Sequence, residues 1–317
     1  METPFGIGEI DHVVIRCRDQ ARALEFYTGV LGLRLVKKTV NQDDPTVYHL
    51  FYADEAGSPG ADLTFFEYPG TPRGRAGAGM VYRIAWRVGS GEALEFWASR
   101  LRGAAVEAVR EAGGLRFNDP EGLGLELRMS EVDDAPLRGV HPEIPEAFAL
   151  QGFDGVRAYT DDPERSRRFL EDPLGFTPIA GGEFEIRGPR RGGLYAYDPA
   201  PGRGVGGAGT VHHVAWSCEL AEHAAWRDRL ARAGAHVTPV IDRFYFRSIY
   251  FREPSGVLFE IATLGPGFAA DEAQEHLGES LSLPPKFEPL RIELERVLTP
   301  LPSPRPWART SAGRDPR

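Results

Sequence analysis

Residues 210–218, TVHHVAWSC, and residues 8–17, GEIDHVVIRC, decide the fold, because they repeat one pattern at opposite ends of the chain. Both stretches alternate apolar and polar side chains in the manner of a half-buried β-strand. In both, a histidine stands five residues before a cysteine: His12 in the first stretch and His213 in the second. The recurrence predicts an internal structural repeat.

The same kind of strand opens two more units, MVYRIAWRV at 80–88 and FDGVRAYT at 153–160. Each of the four units continues with an amphipathic helix and then with short strands, giving the order strand–helix–strand–strand–strand. The predicted helices lie at about 20–31, 91–102, 163–172 and 219–233. The predicted later strands lie at 33–40, 46–53, 61–68, 105–110, 115–118, 123–129, 236–241, 247–252 and 257–263, and in the third unit they reach Tyr197.

A unit of this kind has one apolar sheet face and cannot bury that face alone. Two paired units can close into an eight-stranded, cup-like sheet. Four units therefore predict an α+β protein with two cups, in which the first unit pairs with the fourth. The predicted divisions are modules one and two at 1–130, a Pro-rich and acidic linker at 131–149, modules three and four at 150–263, an extension with a short helix (286–298) at 264–298, and a disordered tail at 299–317.

The composition is that of an ordinary globular protein, with 42% hydrophobic and 26% charged residues in a chain of 317. A net charge of −9 without a basic run argues against nucleic acid as a partner. No apolar stretch approaches the ~20 residues that a membrane-spanning helix needs, and the N-terminus does not have the pattern of a signal peptide. Two cysteines make no disulfide framework, so a reducing cytoplasm is predicted.

The positions of histidines and acids within the repeat predict a metal site. When the final strands are aligned on the glycine that precedes each of them, Glu260 in the fourth unit corresponds to Thr64 in the first. If these two units pair, the side chains of His12, His213 and Glu260 converge, whereas Thr64 supplies no charge at the fourth symmetric position. The second unit keeps Glu126 there but offers no histidine, so the second cup is predicted to be structural.

Two imidazoles and one carboxylate form the facial arrangement of non-haem Fe(II) oxygenases, with positions open for substrate and dioxygen. The predicted cofactor is therefore Fe(II), with Mn(II) or Zn(II) as alternatives. A carboxylate at position 64 would instead favour a closed site in which the metal acts as a Lewis acid. A slip of the alignment by one or two residues would bring Asp62 or Glu67 into the site.

The sequence GTVHHVAWS at 209–217, followed by SIYFREPSGVLFEIAT at 248–263, resembles the vicinal oxygen chelate superfamily of glyoxalases, bleomycin resistance proteins and extradiol dioxygenases. IDHVVIRCRD at 10–19 and LTFFEYP at 63–69 extend the resemblance, which is to ring-cleaving dioxygenases of hydroquinone-type substrates within that superfamily. The resemblance implies the vicinal oxygen chelate fold and Fe(II)-dependent cleavage of hydroquinone- or catechol-type diols with dioxygen. It places the metal on the three ligands argued above.

The resemblance also implies three catalytic residues, which fall on His212, Arg243 and Tyr250. Strand alternation directs His212 away from the face of His213 unless the strand is twisted or bulged, so a structural role for His212 stays open. Arg243 can bind an anionic substrate oxygen or form an ordinary ion pair. The chain departs from the family at Asp11, where members often carry a histidine, and this leaves the role of that position undecided.

Two other functions remain open on the sequence alone. One is a glyoxalase-like, metal-dependent isomerase or lyase, which a neutral residue at Thr64 disfavours. The other is a non-catalytic resistance protein that sequesters a small molecule, which the set of three ligands disfavours. The expected partners are a small aromatic substrate and dioxygen, with a homo-oligomer as a further expectation.

Overall fold

The structure is a computed structural model that describes residues 7–305. Within this range sixteen β-strands form the framework. They are β1 (Ile10–Cys17), β2 (Arg34–Val40), β3 (Tyr48–Ala53), β4 (Asp62–Glu67), β5 (Met80–Val88), β6 (Ala108–Glu111), β7 (Gly114–Asn118), β8 (Gly124–Met129), β9 (Phe153–Thr160), β10 (Thr177–Pro178), β11 (Glu183–Arg187), β12 (Gly192–Pro199), β13 (Thr210–Cys218), β14 (Ile241–Asp242), β15 (Arg247–Arg252) and β16 (Leu258–Thr263).

The helices are few and lie mainly between the first and second strands of each unit. They are α1 (Gln20–Leu24), α2 (Gly91–Gly103), α3 (Glu164–Glu171), α4 (His223–Arg232) and α5 (Arg291–Val297). The Asp19 side chain accepts a hydrogen bond from the Arg22 amide at 3.0 Å and so caps the N-terminus of α1. The helix predicted over 20–31 is not uniform, because α1 passes into a π-helical segment at Glu25–Val30.

The strands form two eight-stranded mixed sheets. The first has the order β14-β15-β16-β13-β1-β4-β3-β2 and is called the first cup. The second has the order β10-β11-β12-β9-β5-β8-β7-β6 and is called the second cup. The first cup joins the first and fourth units through antiparallel β1 and β13, and the second cup joins the second and third units through β5 and β9. The α+β fold and the pairing of units one and four are thus confirmed.

Aromatic side chains fill the core between the cups. Trp216 of β13 is fully buried and lies 5.0 Å from the Phe176 ring and 6.0 Å from the Tyr195 ring, measured between centroids. Tyr195 belongs to β12 of the second cup, so the two sheets share one continuous apolar layer. Burial of large aromatic surface is the main stabilising term for such a contact.

The central pairing of β1 with β13 contains two bulges, and these position the functional side chains. One residue is extra on β1 between Ile10 and Val13, and one is extra on β13 between His213 and Val211. At a bulge the strict alternation of side chains is interrupted, so two consecutive residues can contact each other on one side of the strand. The pairs concerned are Asp11-His12 and His212-His213.

Two element predictions were wrong in extent. The strand predicted at 236–241 survives only as β14, because Pro239 has no amide hydrogen to donate. Thr238 still bonds to β15, but its hydroxyl, rather than a backbone carbonyl, accepts the Tyr250 amide at 3.0 Å. The helix predicted at 286–298 is divided, since Pro289 stands in a 3₁₀ turn before α5 begins at Arg291.

The segment after β16 packs over the first cup. The ammonium group of Lys37, which is fully buried, contacts the carboxylates of Asp271 and Glu272. Arg34 donates to the backbone carbonyl of Glu275 at 2.9 Å. Of the tail predicted to be disordered, Arg305 contacts Glu55, and residues 306–317 lie outside the described range.

The segment 131–149 contains one 3₁₀ turn, Glu146–Phe148, and runs between the two halves of the chain. Asp134 in this segment accepts hydrogen bonds from Arg87 and Arg187 and so fastens it to the second cup. The division of the chain into modules and linker stays a prediction. Within residues 7–305, no helix is long and apolar enough to cross a membrane.

Candidate metal centre

Three strands of the first cup bring His12, His213 and Glu260 together. Their Nε2 and carboxylate atoms lie within 4.8 Å of one another. Glu260 Oε2 is 2.7 Å from His213 Nε2 and 3.3 Å from His12 Nε2. This is the only such group of histidine, cysteine or acidic side chains found over residues 7–305.

The register explains why these residues meet. In the parallel pair β13–β16, Ala215 lies beside Glu260, two residues beyond His213. In the parallel pair β1–β4, Val14 lies beside Thr64, two residues beyond His12. The first and fourth units are therefore superimposable in register, and Thr64 does occupy the position that corresponds to Glu260.

Buried polar atoms at this point have no hydrogen-bond partner within the described residues. They are His213 Nε2 and both carboxylate oxygens of Glu260, although Glu260 is fully buried. His213 Nε2 and the Glu260 carboxylate lie close together but not in hydrogen-bond geometry. These atoms therefore face a common point rather than each other. Because an unsatisfied buried polar group costs about 1–3 kcal/mol and a charged one more, the donor set fits a divalent cation.

The other ring nitrogen of each histidine is held by the preceding residue. His12 Nδ1 is 2.7 Å from Asp11 Oδ1, and His213 Nδ1 is 2.7 Å from His212 Nδ1. Both contacts depend on the two strand bulges. A partner on Nδ1 fixes the tautomer and ring orientation so that Nε2 remains available as a metal ligand.

The charges of the site are coupled. Burial disfavours ionisation of Glu260, but His12 and His213 hold the pKa of its carboxyl well below the ordinary value. Burial lowers the pKa of His12, but Glu260 and Asp11 together raise it well above the ordinary value. Burial keeps the pKa of His213 low despite Glu260. A buried carboxylate that stays ionised requires a cation beside it, which protonated His12 or a bound metal ion can supply.

A cavity opens from the three ligands toward solvent. Aromatic rings on opposite sides of it, Phe51 and Phe66 from the first unit and Tyr245 and Phe246 from the fourth, form its walls. The Phe246 ring lies 5.2 Å from that of His12. Apolar walls with a few polar groups suit a small aromatic ligand.

Two of the three sequence-predicted catalytic residues, Arg243 and Tyr250, line this cavity. Tyr250 is paired with Glu260 across β15 and β16. Burial, followed by Glu260, raises the pKa of Tyr250, so its phenol keeps its proton. The Arg243 guanidinium lies 5.7 Å from the Tyr250 ring and forms two hydrogen bonds of 2.9 Å to Asp43.

The third, His212, does not line the cavity. Its ring lies behind His213 and 5.9 Å from the Phe66 ring. Burial, together with His213 and Arg16, lowers the pKa of His212 to about 3, so it stays neutral. From this position His212 contacts a metal ligand and not the space available to a substrate.

Sequence reasoning missed His49, which lies on β3 and lines the cavity. His49 Nε2 is 2.7 Å from the hydroxyl oxygen of Thr64. The signal that could have found it is the hairpin of β3 and β4, which brings His49 opposite Phe66 and thereby close to Thr64. The loop between the two strands concealed this register.

Comparisons with known proteins agree with this geometry. The sequence profile of the Glyoxalase/Bleomycin resistance protein/Dioxygenase superfamily matches residues 9–127 and 152–261. MhqO of Bacillus subtilis, whose name assigns it provisionally to the ring-cleaving dioxygenases, is 40% identical over 92% of this chain and 96% of its own length. The chlorohydroquinone/hydroquinone 1,2-dioxygenase of Sphingobium indicum is 31% identical over 94% of this chain and 98% of its own length.

Solved structures show the same relationship. A provisionally named dioxygenase from Bacillus subtilis matches with a TM-score of 0.88 at 38% identity, covering 94% of this chain and 98% of that one. Glyoxalase I from Zea mays matches with a TM-score of 0.59 at 15% identity, covering 85% and 96%, which shows a shared fold. The chain therefore belongs to the glyoxalase/bleomycin resistance protein/dioxygenase superfamily.

Proposed function

We propose that this protein is an Fe(II)-dependent dioxygenase that cleaves the ring of hydroquinone- or catechol-type aromatic diols. The observation that carries the proposal is the meeting of two imidazole Nε2 atoms and one carboxylate at a buried point, with a neutral threonine at the fourth symmetric position. The names of relatives at 31–40% identity support the same reaction class.

The ligand set favours oxygen chemistry. Three protein ligands leave up to three positions for a diol and dioxygen, the arrangement characteristic of non-haem Fe(II) oxygenases. The chemistry that bound Fe(II) supplies is electron transfer between a diol and dioxygen, which otherwise react slowly. Mn(II) and Zn(II) also accept imidazole and carboxylate ligands, so the identity of the metal is decided by the test below.

The chain's own residues bind and orient the substrate. Phe51, Phe66 and Phe246 enclose an aromatic ring and exclude water around it. Tyr250 keeps its proton beside Glu260 and donates it to a substrate oxygen, a contribution typically worth ~10²–10⁴-fold. Arg243 stabilises negative charge that develops on the substrate.

His212 has a different role from the catalytic role that the family resemblance implies. Because it contacts His213 Nδ1 and lies off the cavity, we assign it as a positioning residue for that ligand. The proposed setting is the cytoplasm, which two buried free thiols, Cys17 and Cys218, favour. A homo-oligomer stays a prediction.

The test is anaerobic reconstitution with Fe(II), Mn(II) or Zn(II), followed by oxygen-electrode measurements with hydroquinones and catechols. The expected result is stoichiometric oxygen uptake with the Fe(II) protein and a ring-opened product. The His213→Ala variant is expected to lose both bound iron and oxygen uptake. Oxygen-independent isomerase or lyase turnover of the Zn(II) protein, without oxygen uptake by the Fe(II) protein, would refute the proposal.

A further inference from the structure

His49 is a buried imidazole of the cavity that the metal site does not use. It is not part of the group of potential ligands around Glu260. Its ring lies between those of Phe51, at 4.0 Å, and Phe66, at 4.3 Å, so it cannot turn away from its place in the wall. Side chains locked in this way by packing are suited to precise contact with a ligand.

Only one of its ring nitrogens has a partner. Nε2 contacts the Thr64 hydroxyl oxygen at 2.7 Å, and among residues 7–305 no hydrogen bond to Nδ1 is found. Burial lowers the pKa of His49 well below the ordinary value. The ring therefore offers Nδ1 to the cavity as a neutral hydrogen-bonding group.

The strand that carries His49 is not adjacent to the strands that carry the metal ligands. In the sheet, β3 is separated from β1 by β4, a separation of about 10 Å between strand axes before side chains reach inward. His49 and the three ligands line the same cavity, and within residues 7–305 no hydrogen bond or ring contact joins His49 to any of them. A substrate ring held at the ligands would extend into the space that His49 lines.

On the basis of the proposed function, we infer that His49 holds the substrate oxygen that does not reach the metal, and so selects para-diols. The two oxygens of an ortho-diol both lie at the metal end of the ring, whereas the second oxygen of a para-diol lies one ring diameter away. His49, between the rings of Phe51 and Phe66, provides a polar group on an aromatic part of the wall. His49 is accordingly a specificity-determining residue for the reaction.

The experiment is anaerobic equilibrium binding of hydroquinone and of phenol, which lacks the second oxygen, to the iron-loaded protein. The unmodified protein is expected to bind hydroquinone about 10–100-fold more tightly than phenol, the ratio for one good hydrogen bond in a buried site. The His49→Phe variant keeps an aromatic ring in the wall. It is expected to lose this preference while its affinity for phenol and its iron content remain unchanged.

Two amide variants provide matched controls. In His49→Asn the amide occupies the place of Nδ1, and the preference is expected to be restored at least in part. In His49→Gln the amide occupies the place of Nε2, toward Thr64, and the preference is expected to stay lost. These two variants distinguish contact with substrate from support of the wall.

Other results would overturn the inference. Equal weakening of both ligands by His49→Phe, or loss of iron, would make His49 structural. If the unmodified protein binds hydroquinone no better than phenol but takes up oxygen with catechol, His49 has no such role although the proposed function holds. If it neither binds nor oxidises any diol, the proposed function fails and the inference fails with it.

Discussion

The two cups have the same strand order and different chemistry at corresponding positions. In the first cup, Glu260 faces two imidazoles. In the second, the corresponding Glu126 lies beside Ala85 in the parallel pair β5–β8, and its carboxylate contacts Arg116 at 3.2 Å, Arg83 at 3.5 Å and Arg128 at 3.8 Å. Arg83 stands where His213 stands in the first cup, because both lie two residues before the residue that neighbours the acid.

The other histidine position of the second cup is closed by steric contact. Gly155 corresponds to His12, and a Cβ atom there would lie 2.4 Å from the carbonyl oxygen of Leu194. The second cup therefore compensates its acid with arginines, whereas the first requires a cation from outside. One fold supplies a position for an acid in each half, and the side chains around that position decide whether a metal is bound.

The largest expected effect comes from neutralising the acid in one cup and then in the other. Glu260→Gln removes the charge that compensates a divalent cation, so iron per chain measured by elemental analysis should fall close to zero. Glu126→Gln leaves the metal ligands intact and should retain full iron content and oxygen uptake. The second variant should only lower the melting temperature, because three arginines each lose one carboxylate contact.

A result in which both variants lost iron would mean that the two cups are not independent. A result in which Glu260→Gln retained iron with unchanged affinity would remove the acid from the ligand set. The comparison with Glu126 excludes a general loss of folding as the reason for the difference.

The second prediction makes the two units of the first cup alike. Thr64→Glu places a carboxylate at the position corresponding to Glu260 and should occupy a coordination position that dioxygen or substrate needs. Iron content should be kept, while oxygen uptake should fall at least about tenfold, since a blocked position removes more than ~1.4 kcal/mol of transition-state stabilisation.

Thr64→Val is the matched control, because it removes the hydroxyl without adding a ligand. It should lose the contact with His49 but keep most of the oxygen uptake. Undiminished oxygen consumption by Thr64→Glu would contradict the equivalence of the two positions.

The sequence was sufficient to predict the repeat, the pairing of units and the meeting of the three ligands. The reason is that periodic strands and the glycine before each final strand carry register information. It was not sufficient for His212 or His49. The bulge that brings His212 onto the Nδ1 atom of His213 has no local signal, and His49 reaches the cavity only through the closure of β3 onto β4.

The packing of the C-terminal extension could also not be predicted from the sequence. Its segment 264–285 has no periodic pattern, and its attachment depends on a lysine that lies far away in the chain. Burial of Lys37 among Asp271 and Glu272 is a tertiary event, because neither acid has a sequence feature that distinguishes it from a solvated surface residue.

The third prediction concerns the different partners of the two imidazoles. Asp11→Asn keeps the shape of the contact to His12 Nδ1 but removes its negative charge. Loss of a carboxylate behind a metal-bound histidine typically weakens metal affinity 10–100-fold, and about tenfold is expected here. Competition with a chromogenic chelator measures this change at equilibrium.

Asp11→His introduces the residue type that the family resemblance implies for this position and should recover part of the lost affinity. An iron affinity of Asp11→Asn equal to that of the unmodified protein would show that the contact with His12 does not stabilise the bound metal. His12 would then resemble His213, whose Nδ1 contacts a neutral imidazole, in needing no charged partner to bind the metal.

The smallest expected effect concerns the ion pairs of Asp134 with the second cup. These ion pairs should make the free energy of unfolding depend on pH, whereas the apolar walls of the first cup should not. Burial raises the pKa of Asp134, but hydrogen bonds from Arg187, the Gly192 amide and Arg87 bring it down to about 2 from its ordinary 3.8. A carboxyl whose pKa is depressed on folding stabilises the protein above its unfolded pKa, and this contribution disappears as pH falls through 3.8 toward 2.

Asp134→Asn should therefore lower the free energy of unfolding at pH 7 by about 1–2 kcal/mol and have less effect near pH 2, as measured by urea denaturation. Asp133→Asn, at an exposed neighbouring position, should have no effect at either pH. An equal loss for Asp134→Asn at both pH values would mean that the residue acts through packing rather than through its charge.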